Sequence, residues 1–514
     1  IYVSAANAQV INSGTITSTL SGGRGIFLAG SGGMITNQSG GTVAGAGSGD
    51  SILLTGANYS VNLNSGSTTT GAINASGTTG TNSFTIAGVL DGALTGGVGN
   101  DNVTLFTSGS VTGAIAGGDG IDAFILDGAD SVGLDAGNIN GFESLTKNGT
   151  GTLSLSGIAT GTAGWTINAG TLNASGGTAL ADLDRVTVNA AGTLGILSNE
   201  TVGSLDGNGA VVLDANLTLG GDDSSSTFAG IASGIGGITK LGLGTFTLSG
   251  ANSFTGDVMV SAGTLAYGAN NILADTVTVT VDTGATFNLD GFSDTIGTLN
   301  LYGTLANGGL LTAATYNAYA GSTIGQAISS GTLNVLGDTA LNAATAATPV
   351  NISAGTLTTA AAELLADTGA VLIAAGGRLT LGGAETIGSL GDLSGTGGIV
   401  ELAGFGLTVG GNGASTTFSG TIQSNMAGGG LTKNGVGTLT LAGTNTGLDT
   451  IVINAGALSV ASAANLGATG SIGLLGGTLA TTGSFATDRT IITHAIAPGA
   501  GSDVDTATPV GVKG

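Results

Sequence analysis

Apolar and polar residues alternate over short stretches along most of this chain. Clear examples are residues 152–155 (TLSL), 186–188 (VTV) and 277–281 (VTVTV). Alternation with a period of two is typical of β-strands that bury one face and expose the other. Gly, Asn, Asp and Ser separate these stretches, and they supply the backbone conformations and side-chain-to-backbone hydrogen bonds that sharp corners need. The pattern therefore predicts many short strands joined by tight corners.

The strand pattern also repeats at longer range. The glycines that open similar segments recur after 22 residues from Gly170 to Gly192 and after 21 residues from Gly456 to Gly477. A period near twenty residues, without a helical pattern between the copies, is typical of a solenoid whose single turns cannot bury their apolar face alone. Five segments read AGTL or a close variant, and each has a second leucine eight residues after the first: Leu172 and Leu180, Leu265 and Leu273, Leu333 and Leu341, Leu357 and Leu365, Leu458 and Leu466.

We expect the chain to coil in parallel rather than to form antiparallel hairpins, because the same phrases return a full turn later. The prediction is an all-β fold, a single elongated parallel β-helix with three short strands per turn. Stacked Val, Ile and Leu side chains would fill its bore, and backbone groups would bond to the turns above and below. With strands spaced by about 4.8 Å and turns of roughly 22 residues, the chain would make on the order of 23 turns over roughly 110 Å.

Composition and charge narrow the possible partners. The chain has 101 glycines among 514 residues, with 4% aromatic and 8% charged residues, which suits a thin continuous core. Its 31 acidic and 8 basic residues give a net charge of −23, which excludes nucleic acid as a partner. No apolar run is long enough to predict a membrane span, and no leader is visible in this chain. The lack of cysteine removes disulfides and thiolate chemistry.

Three kinds of phrase divide the chain. ITNSGTI-like and GGxGxD-like phrases occupy residues 1–145, and a longer phrase dominates residues 146–495. Residues 496–514 lack the pattern and are predicted to be a linker or boundary tail. The longer phrase begins at Leu145, Ile238 and Leu431, and in each copy a lysine precedes the glycine of the next AGTL-type element by 23 residues: Lys147 to Gly170, Lys240 to Gly263, and Lys433 to Gly456.

The longer phrase, TKxGxGTLTLSGxNxxTG followed by VxAGTL, resembles the passenger-associated transport repeat of bacterial autotransporter proteins. The copy at Lys240 matches it through Asn252 and Gly256 to Leu265. The resemblance implies a right-handed parallel β-helix exported by type V secretion to the bacterial cell surface, either attached to the outer membrane or released, with a membrane barrel outside this chain. It implies no particular activity, since such passengers include adhesins, self-associating proteins, proteases and esterases.

Candidate metal ligands lie in the two GGxGxD phrases, which resemble calcium-binding nonapeptide repeats. Asp101 and Asp122 occupy the aspartate position, and Asp119 could supplement them. Calcium binds carboxylate and carbonyl oxygens, and stacked carboxylates repel each other unless a cation lies between them. These phrases stand 21 residues apart instead of following each other directly, so half of the ligand set is missing. Two interpretations stay open here: a calcium site, or solvated corner aspartates without a cofactor.

The sequence offers few groups for catalysis. His494 is the single histidine, and it lies where the repeat pattern ends. No serine stands in a GxSxG motif. A carbohydrate-active β-helix enzyme would need carboxylates clustered with basic residues on one face. The basic residues outside the repeat positions are scattered: Arg24, Arg185, Arg378, Arg489 and Lys513. We therefore predict that the chain is not an enzyme, with a carbohydrate-active enzyme as the third interpretation.

Longer intervals between repeats predict protruding loops. Tyr316 and Tyr319 lie in the interval 303–331, which at 28 residues exceeds a normal turn, and they are candidates for a binding loop. Residues 251–256 and 444–449 are two further candidate loops.

The functional prediction is a non-catalytic passenger, on the cell surface or secreted, that acts in adhesion or self-association. Its partners would be copies of itself, or glycans or proteins on a host or another surface. The alternative is a structural surface-layer, stalk or filament component. No metal site other than the one at Asp101, Asp119 and Asp122 is predicted.

Overall fold

The computed structural model describes residues 1–47, 49–159, 164–467, 469–483 and 486–493. Contacts divide the chain into two compact units, Ile1–Asp257 and Val258–Gly514. Each unit is a coil of short parallel β-strands, and two 3-10 helices occur, Ala136–Asn138 and Ala463–Asn465. Within these residues, no helix is long and apolar enough to cross a membrane. The predicted all-β parallel β-solenoid is confirmed, whereas His494, Lys513 and the predicted tail lie outside the described residues.

In the first unit, strands that occupy the same position in successive turns form hydrogen-bonded columns. One column consists of Tyr2–Val3, Ile26–Leu28, Ile52–Leu54, Ile73–Asn74, Leu94–Thr95, Ile115–Ala116 and Ile139–Asn140. A second consists of Gln9–Asn12, Met34–Asn37, Ser60–Leu63, Ser83–Ile86, Asn102–Phe106, Ala123–Asp127, Ser144–Lys147, Ser204–Gly207, Ser226–Phe228 and Thr245–Leu248. The third position holds Thr15–Thr17, Thr42–Ala44, Thr68–Thr70, Val89–Asp91, Ser110–Val111, Val132–Asp135, Thr152–Ser156, Ala210–Leu213 and Ile231–Gly234. A further column consists of Glu200–Val202, Leu217–Leu219 and Ile238–Lys240.

Two long strands of the first unit, Trp165–Ala174 and Arg185–Ile196, run through a corner. Their first halves pair in the second column and their second halves pair at the third position. The corner between the halves follows a local shift in register after Ile167. Each long strand therefore covers two faces of one turn.

The second unit has the same construction. One column consists of Val258–Val260, Thr278–Val281, Thr332–Val335 and Ser389–Asp392, and it includes parts of the long strands Asp294–Leu301, Leu311–Ala318, Val350–Thr359 and Ala370–Thr380. Another consists of Thr264–Tyr267, Thr286–Asn288, Thr304–Ala306, Ser322–Ile324, Thr339–Leu341, Ile399–Glu401 and Thr421–Gln423. The remaining columns hold Glu385–Ile387, Gly406–Val409, Gly430–Lys433, Thr450–Ile453, Ser471–Leu474 and Thr490–Thr493, and Thr416–Phe418, Thr438–Leu441, Ala457–Val460 and Thr478–Thr481.

Equivalent side chains lie over one another in successive turns. Leu172 pairs with Leu194, and Leu357 pairs with Leu379. The ten leucines of the AGTL pattern are all buried, with at most 3% of each side chain exposed. Burial of stacked aliphatic side chains is the main term that stabilises such a coil, at about 25 cal/mol per Å² of apolar surface. The predicted stacking of like residues is therefore confirmed within each unit.

The interval 303–331 does not carry the protruding loop that the sequence predicts. It contains parts of successive short turns, in which equivalent asparagines at positions 300, 317 and 334 are 17 residues apart. Tyr316 points inward, with 2% exposure, and its hydroxyl accepts a hydrogen bond from Ala313 N at 2.7 Å and donates to Leu311 O at 2.8 Å. Two short turns were mistaken for one long turn because the glycine marker is absent at the corner between them.

Candidate binding surface

Asp101 and Asp122, two of the predicted metal ligands, lie on successive turns of the first unit with their carboxylates buried. Asp101 is 0% exposed and Asp122 is 1% exposed. Asp101 Oδ1 accepts hydrogen bonds from Asn82 N at 2.8 Å and Asn82 Nδ2 at 2.7 Å, and Oδ2 accepts one from Gly97 N at 2.7 Å. Asp122 Oδ1 accepts a hydrogen bond from Asp101 N at 2.6 Å. The interpretation of these two residues as solvated corner aspartates is therefore wrong.

The third predicted ligand, Asp119, is exposed at the corner. Burial raises the pKa of both Asp101 and Asp122, and the nearby carboxylates of Asp101, Glu143 and Asp119 raise the pKa of Asp122 further. Asp122 Oδ2 is buried without a hydrogen-bond partner. In the part of the chain that the structure describes, no three His, Asp or Glu side chains are grouped so that they could hold a metal ion. Calcium binding by Asp101, Asp119 and Asp122 stays a prediction.

The lysines of the long phrase are buried at corners of the solenoid. Lys147 is 0% exposed, and Lys240 and Lys433 are 1% exposed. Lys433 Nζ donates hydrogen bonds to Asn434 O at 2.6 Å, Gly435 O at 2.9 Å and Ala455 O at 3.4 Å. Gly435 has φ of 68°, in the left-handed region that favours glycine, and this turns its carbonyl toward the ammonium group.

The other two copies repeat this arrangement. Lys147 Nζ donates to Asn148 O at 2.5 Å, Gly149 O at 2.9 Å and Ala169 O at 3.2 Å. Lys240 Nζ donates to the carbonyls of Leu241 and Gly242. Burial lowers the pKa of all three lysines. Each lysine therefore holds a corner together and is not available for catalysis.

Two buried glutamates also join successive turns. Glu200 and Glu385 stand in the similar phrases ETVGSL and ETIGSL, and they are 2% and 1% exposed. Glu200 Oε1 accepts a hydrogen bond from Leu180 N at 3.0 Å, and Glu385 Oε1 accepts one from Leu365 N at 2.7 Å. Burial raises the pKa of Glu385 to about 7 and raises that of Glu200 as well. These groups are structural acceptors with unusual titration.

The outer face of three short turns in the second unit carries an ordered row of amides. Asn317 Nδ2 donates to Asn300 Oδ1 at 2.9 Å, and Asn334 Nδ2 donates to Asn317 Oδ1 at 3.0 Å. Asn351 continues the row with a bond of 3.0 Å to Asn334 Oδ1. The row ends there because the next turn places Leu372 at the equivalent position, and Asn351 Oδ1 is left without a partner. All four side chains are partly exposed.

A tyrosine pair borders this row. Tyr302 and Tyr319 follow Asn300 and Asn317 by two residues, so they lie on the same face of their strands. Their ring centroids are 4.1 Å apart and the ring planes differ by 8°. Partial burial raises the pKa of Tyr319, and the Tyr302 hydroxyl raises it further. We call Asn300, Asn317, Asn334, Tyr302 and Tyr319 the amide–tyrosine surface.

Concave features are limited in size or widely open. A small interior cavity of about 20 Å³ lies between Trp165 and Asp184, which is room for one water molecule. Burial raises the pKa of Asp184 to about 6. An open groove of about 440 Å³ in the second unit is lined mainly by hydroxyl side chains, including Ser322, Thr323 and Thr339. Both features differ from the apolar, largely closed pockets that hold small molecules.

Comparison with known proteins explains the buried lysines. Residues 145–174, 238–266 and 431–460 match the family described as passenger-associated-transport-repeat. The chain carries the repeats of an autotransporter passenger. It is also 36% identical over 153 residues to the "Adhesin BmaC autotransporter" of Brucella suis biovar 1 (strain 1330). That alignment covers 29% of this passenger but 4% of the adhesin, so this chain spans a small share of that relative. No solved structure matches.

The asparagines of the passenger repeats face inward. Asn252 is 7% exposed, and its Oδ1 accepts a hydrogen bond from Ala232 N at 2.8 Å. Asn445 is 3% exposed, and its Oδ1 accepts one from Ile422 N at 2.7 Å. The segments 251–256 and 444–449 are therefore corners whose polar side chains satisfy the preceding turn, and their prediction as protruding loops is wrong.

The amide row is the feature of this passenger that sequence reasoning missed. Its signal is present, because Thr298-Leu299-Asn300, Thr315-Tyr316-Asn317 and Thr332-Leu333-Asn334 repeat the phrase TxN. The spacing of 17 residues differs from the period near 21 elsewhere, so a search at one fixed period passes over it. The buried aspartates were found, but their inward direction depends on the corner geometry.

Proposed function

We propose that this passenger is a non-catalytic surface module, attached to the outer membrane or released, that acts in adhesion or self-association. The observation that carries the proposal is the outward row of asparagines at positions 300, 317, 334 and 351. A solenoid presents the same groups again at each turn, which suits contact with an extended partner rather than with one small molecule. The name of the Brucella relative, an adhesin, supports the same function.

The chemistry of the buried groups supports a non-catalytic role. The lysines at 147, 240 and 433 bind backbone carbonyls, and the carboxylates of Asp101, Glu200 and Glu385 accept backbone N–H groups. Groups used in this way lack access to a substrate. A general acid or base must lie within hydrogen-bond reach of the proton that it transfers.

The proposal can be tested by surface display. Cells would carry the chain fused to an autotransporter translocator, and control cells would carry the translocator alone. We expect the displaying cells to settle faster from suspension or to adhere more strongly to a surface. Mixing differently labelled displaying and control cells separates the two modes, because self-association excludes control cells from the clumps. Unchanged settling and unchanged attachment would refute the proposal, and ordered arrays of the purified chain would favour the structural alternative.

A further inference from the structure

The turns that carry the amide–tyrosine surface are uncharged. Residues 295–337 contain no Asp, Glu, Lys or Arg, in a chain with 31 acidic and 8 basic residues. Because each turn here takes 17 residues, this segment includes two full turns without a charge on any face. Charged partners gain no attraction there, whereas a neutral partner meets no charged group that it would have to desolvate. The segment therefore selects for recognition by hydrogen bonds and apolar contacts.

The amide row holds unused hydrogen-bonding capacity in a fixed orientation. An asparagine amide has two N–H donors and an oxygen with two lone pairs. Asn317 uses one N–H toward Asn300 and accepts one bond from Asn334, so one donor and one lone pair remain. The row repeats these free groups at each turn, about 4.8 Å apart. Because the neighbouring amides already fix each side chain, a ligand would pay little conformational entropy on binding.

The neighbouring side chains add contacts of two other kinds. Tyr302 and Tyr319 are half-buried and stacked, so their outer ring edges and hydroxyls have a defined position. Thr298, Thr315 and Thr332 form a second row on the other side of the amides, in register from turn to turn. Ordered amides, hydroxyls and aromatic edges in one uncharged strip match a ligand whose surface alternates hydroxyl and C–H groups.

We propose that the amide–tyrosine surface binds a neutral polysaccharide in an extended conformation, aligned with the direction in which the turns stack. Its hydroxyls would pair with the free amide groups of Asn300, Asn317 and Asn334, and its C–H groups would contact the tyrosines. A polymer of sugars repeats along its length, as this surface does, so contacts at one turn recur at the next. This inference rests on the proposed adhesive function and gives it a ligand class.

A second copy of the chain fits the strip less well. Stable protein interfaces bury about 800 Å² on each partner around a core of apolar and aromatic residues. Here the aromatic contribution is two half-buried tyrosines beside rows of small polar side chains. Such a strip provides many hydrogen bonds and little apolar area, which is the composition that a sugar polymer needs.

Affinity electrophoresis of the whole chain tests the proposal. The gels would contain hydroxyethylcellulose or dextran as neutral probes and polygalacturonate as the charged counterpart. We expect retardation by at least one neutral polymer and none by polygalacturonate. Asn317→Ala and Tyr319→Ala should weaken retardation about tenfold, which corresponds to about 1.4 kcal/mol at each position. Tyr319→Phe, which retains the stacked ring, should weaken it less than Tyr319→Ala.

The matched control is Asn168→Ala. Asn168 belongs to a similar row in the first unit, where its Nδ2 donates to Asn148 Oδ1 at 2.8 Å and its Oδ1 accepts from Asn189 Nδ2 at 2.7 Å. This row has the same chemistry but no tyrosine pair and lies beside the buried Lys147. Asn168→Ala should leave retardation unchanged. Melting curves close to that of the unaltered chain would show that each variant is folded.

Several results would overturn the proposal. These are no retardation by either neutral polymer, equal retardation by polygalacturonate, or an equal loss in Asn168→Ala and Asn317→Ala. Concentration-dependent association of the chain that Asn317→Ala abolishes would identify a second copy as the occupant and would also overturn it. Cell clumping that persists without polysaccharide binding would refute only this inference. Polysaccharide binding by a chain that promotes neither attachment nor clumping would refute the adhesive function instead.

Discussion

At the scale of single residues, the passenger uses charged side chains as connectors between turns. Lys433 has no carboxylate among its hydrogen-bond partners, and its ammonium group bonds to three carbonyls from two corners. Asp101 is the converse case, since its carboxylate accepts three N–H bonds. Hydrogen bonds to charged groups contribute more than neutral ones, and buried polar groups left without partners are costly. The rare charges of the interior therefore stand where corners expose several backbone groups at once.

Removal of one connector should open its corner. We expect Lys433→Met to destabilise the surrounding turns by about 1–3 kcal/mol, because it leaves buried carbonyls without a donor. Hydrogen exchange of amides in residues 430–460 would measure the change locally. The control is Arg185→Met, whose side chain is 57% exposed and pairs with Asp206 at 3.0 Å. That change should cost less than about 1 kcal/mol, and equal effects of the two substitutions would contradict the role assigned to Lys433.

The calcium prediction is tested by chelation. We expect the melting curve of the chain to be the same in calcium and in a chelator, because both carboxylate oxygens of Asp101 already accept protein N–H groups. Asp119→Asn should likewise leave the curve unchanged, since Asp119 is exposed. A melting temperature that rises with calcium, and no longer does so in Asp122→Asn, would show that a cation binds at these aspartates.

At the scale of elements, the inward rows of aliphatic side chains hold adjacent strands together. Leu333 is 0% exposed and pairs with Tyr316 in the turn before and Val350 in the turn after. Three residues later, Leu336 lies at the corner with 37% exposure. The two leucines share one turn but differ in burial, so they isolate the effect of the core.

Leu333→Ala should therefore destabilise its turn by about 2–5 kcal/mol, through lost apolar burial and the cavity left in the bore. Leu336→Ala should change stability by about 0.5 kcal/mol or less. Denaturant unfolding, followed by hydrogen exchange in residues 311–352, would measure both. Similar costs for the two substitutions would mean that the inward row does not govern the stability of these turns.

At the scale of the whole molecule, buried carboxylates should make stability depend on pH. Burial raises the pKa of Asp101, Asp122, Asp184, Glu200, Asp294 and Glu385. A group whose pKa is higher in the folded state binds its proton more tightly there, so stability falls as the pH rises from the unfolded pKa to the folded one. For Glu385 that window extends from its ordinary pKa of 4.5 to about 7.

We expect the melting temperature to rise by a few degrees, on the order of 2–4 °C per kcal/mol, when the pH is lowered from 7.5 to 5.5. The net charge of −23 acts in the same direction, because protonation reduces repulsion. Glu385→Gln should flatten the pH dependence in this range, whereas Glu363→Gln, which changes a more exposed residue one turn earlier, should not. A melting temperature that increases with pH over this range would contradict the assignment.

Much of the fold was accessible from the sequence. The alternation in residues 277–281 and the spacing of the AGTL segments predicted strands, corners and stacking, because period and corner chemistry are local properties that each turn repeats. The candidate surface was less accessible. Tyr316 and Tyr319 were considered together, yet one fills the bore and the other stacks on Tyr302, since they are three residues apart and alternate faces diverge at a corner.

The sequence by itself determined the parallel β-solenoid and the passenger repeats, since both follow from patterns that recur along the chain. Only the tertiary structure decided that Asp101 and Asp122 are buried, that Lys433 caps three carbonyls, and that asparagines 17 residues apart form one row. The physical reason is that the direction of a side chain at a corner, and the partner above it, depend on the length of each turn. That length varies along the chain, and it is set by packing between turns rather than by any single phrase.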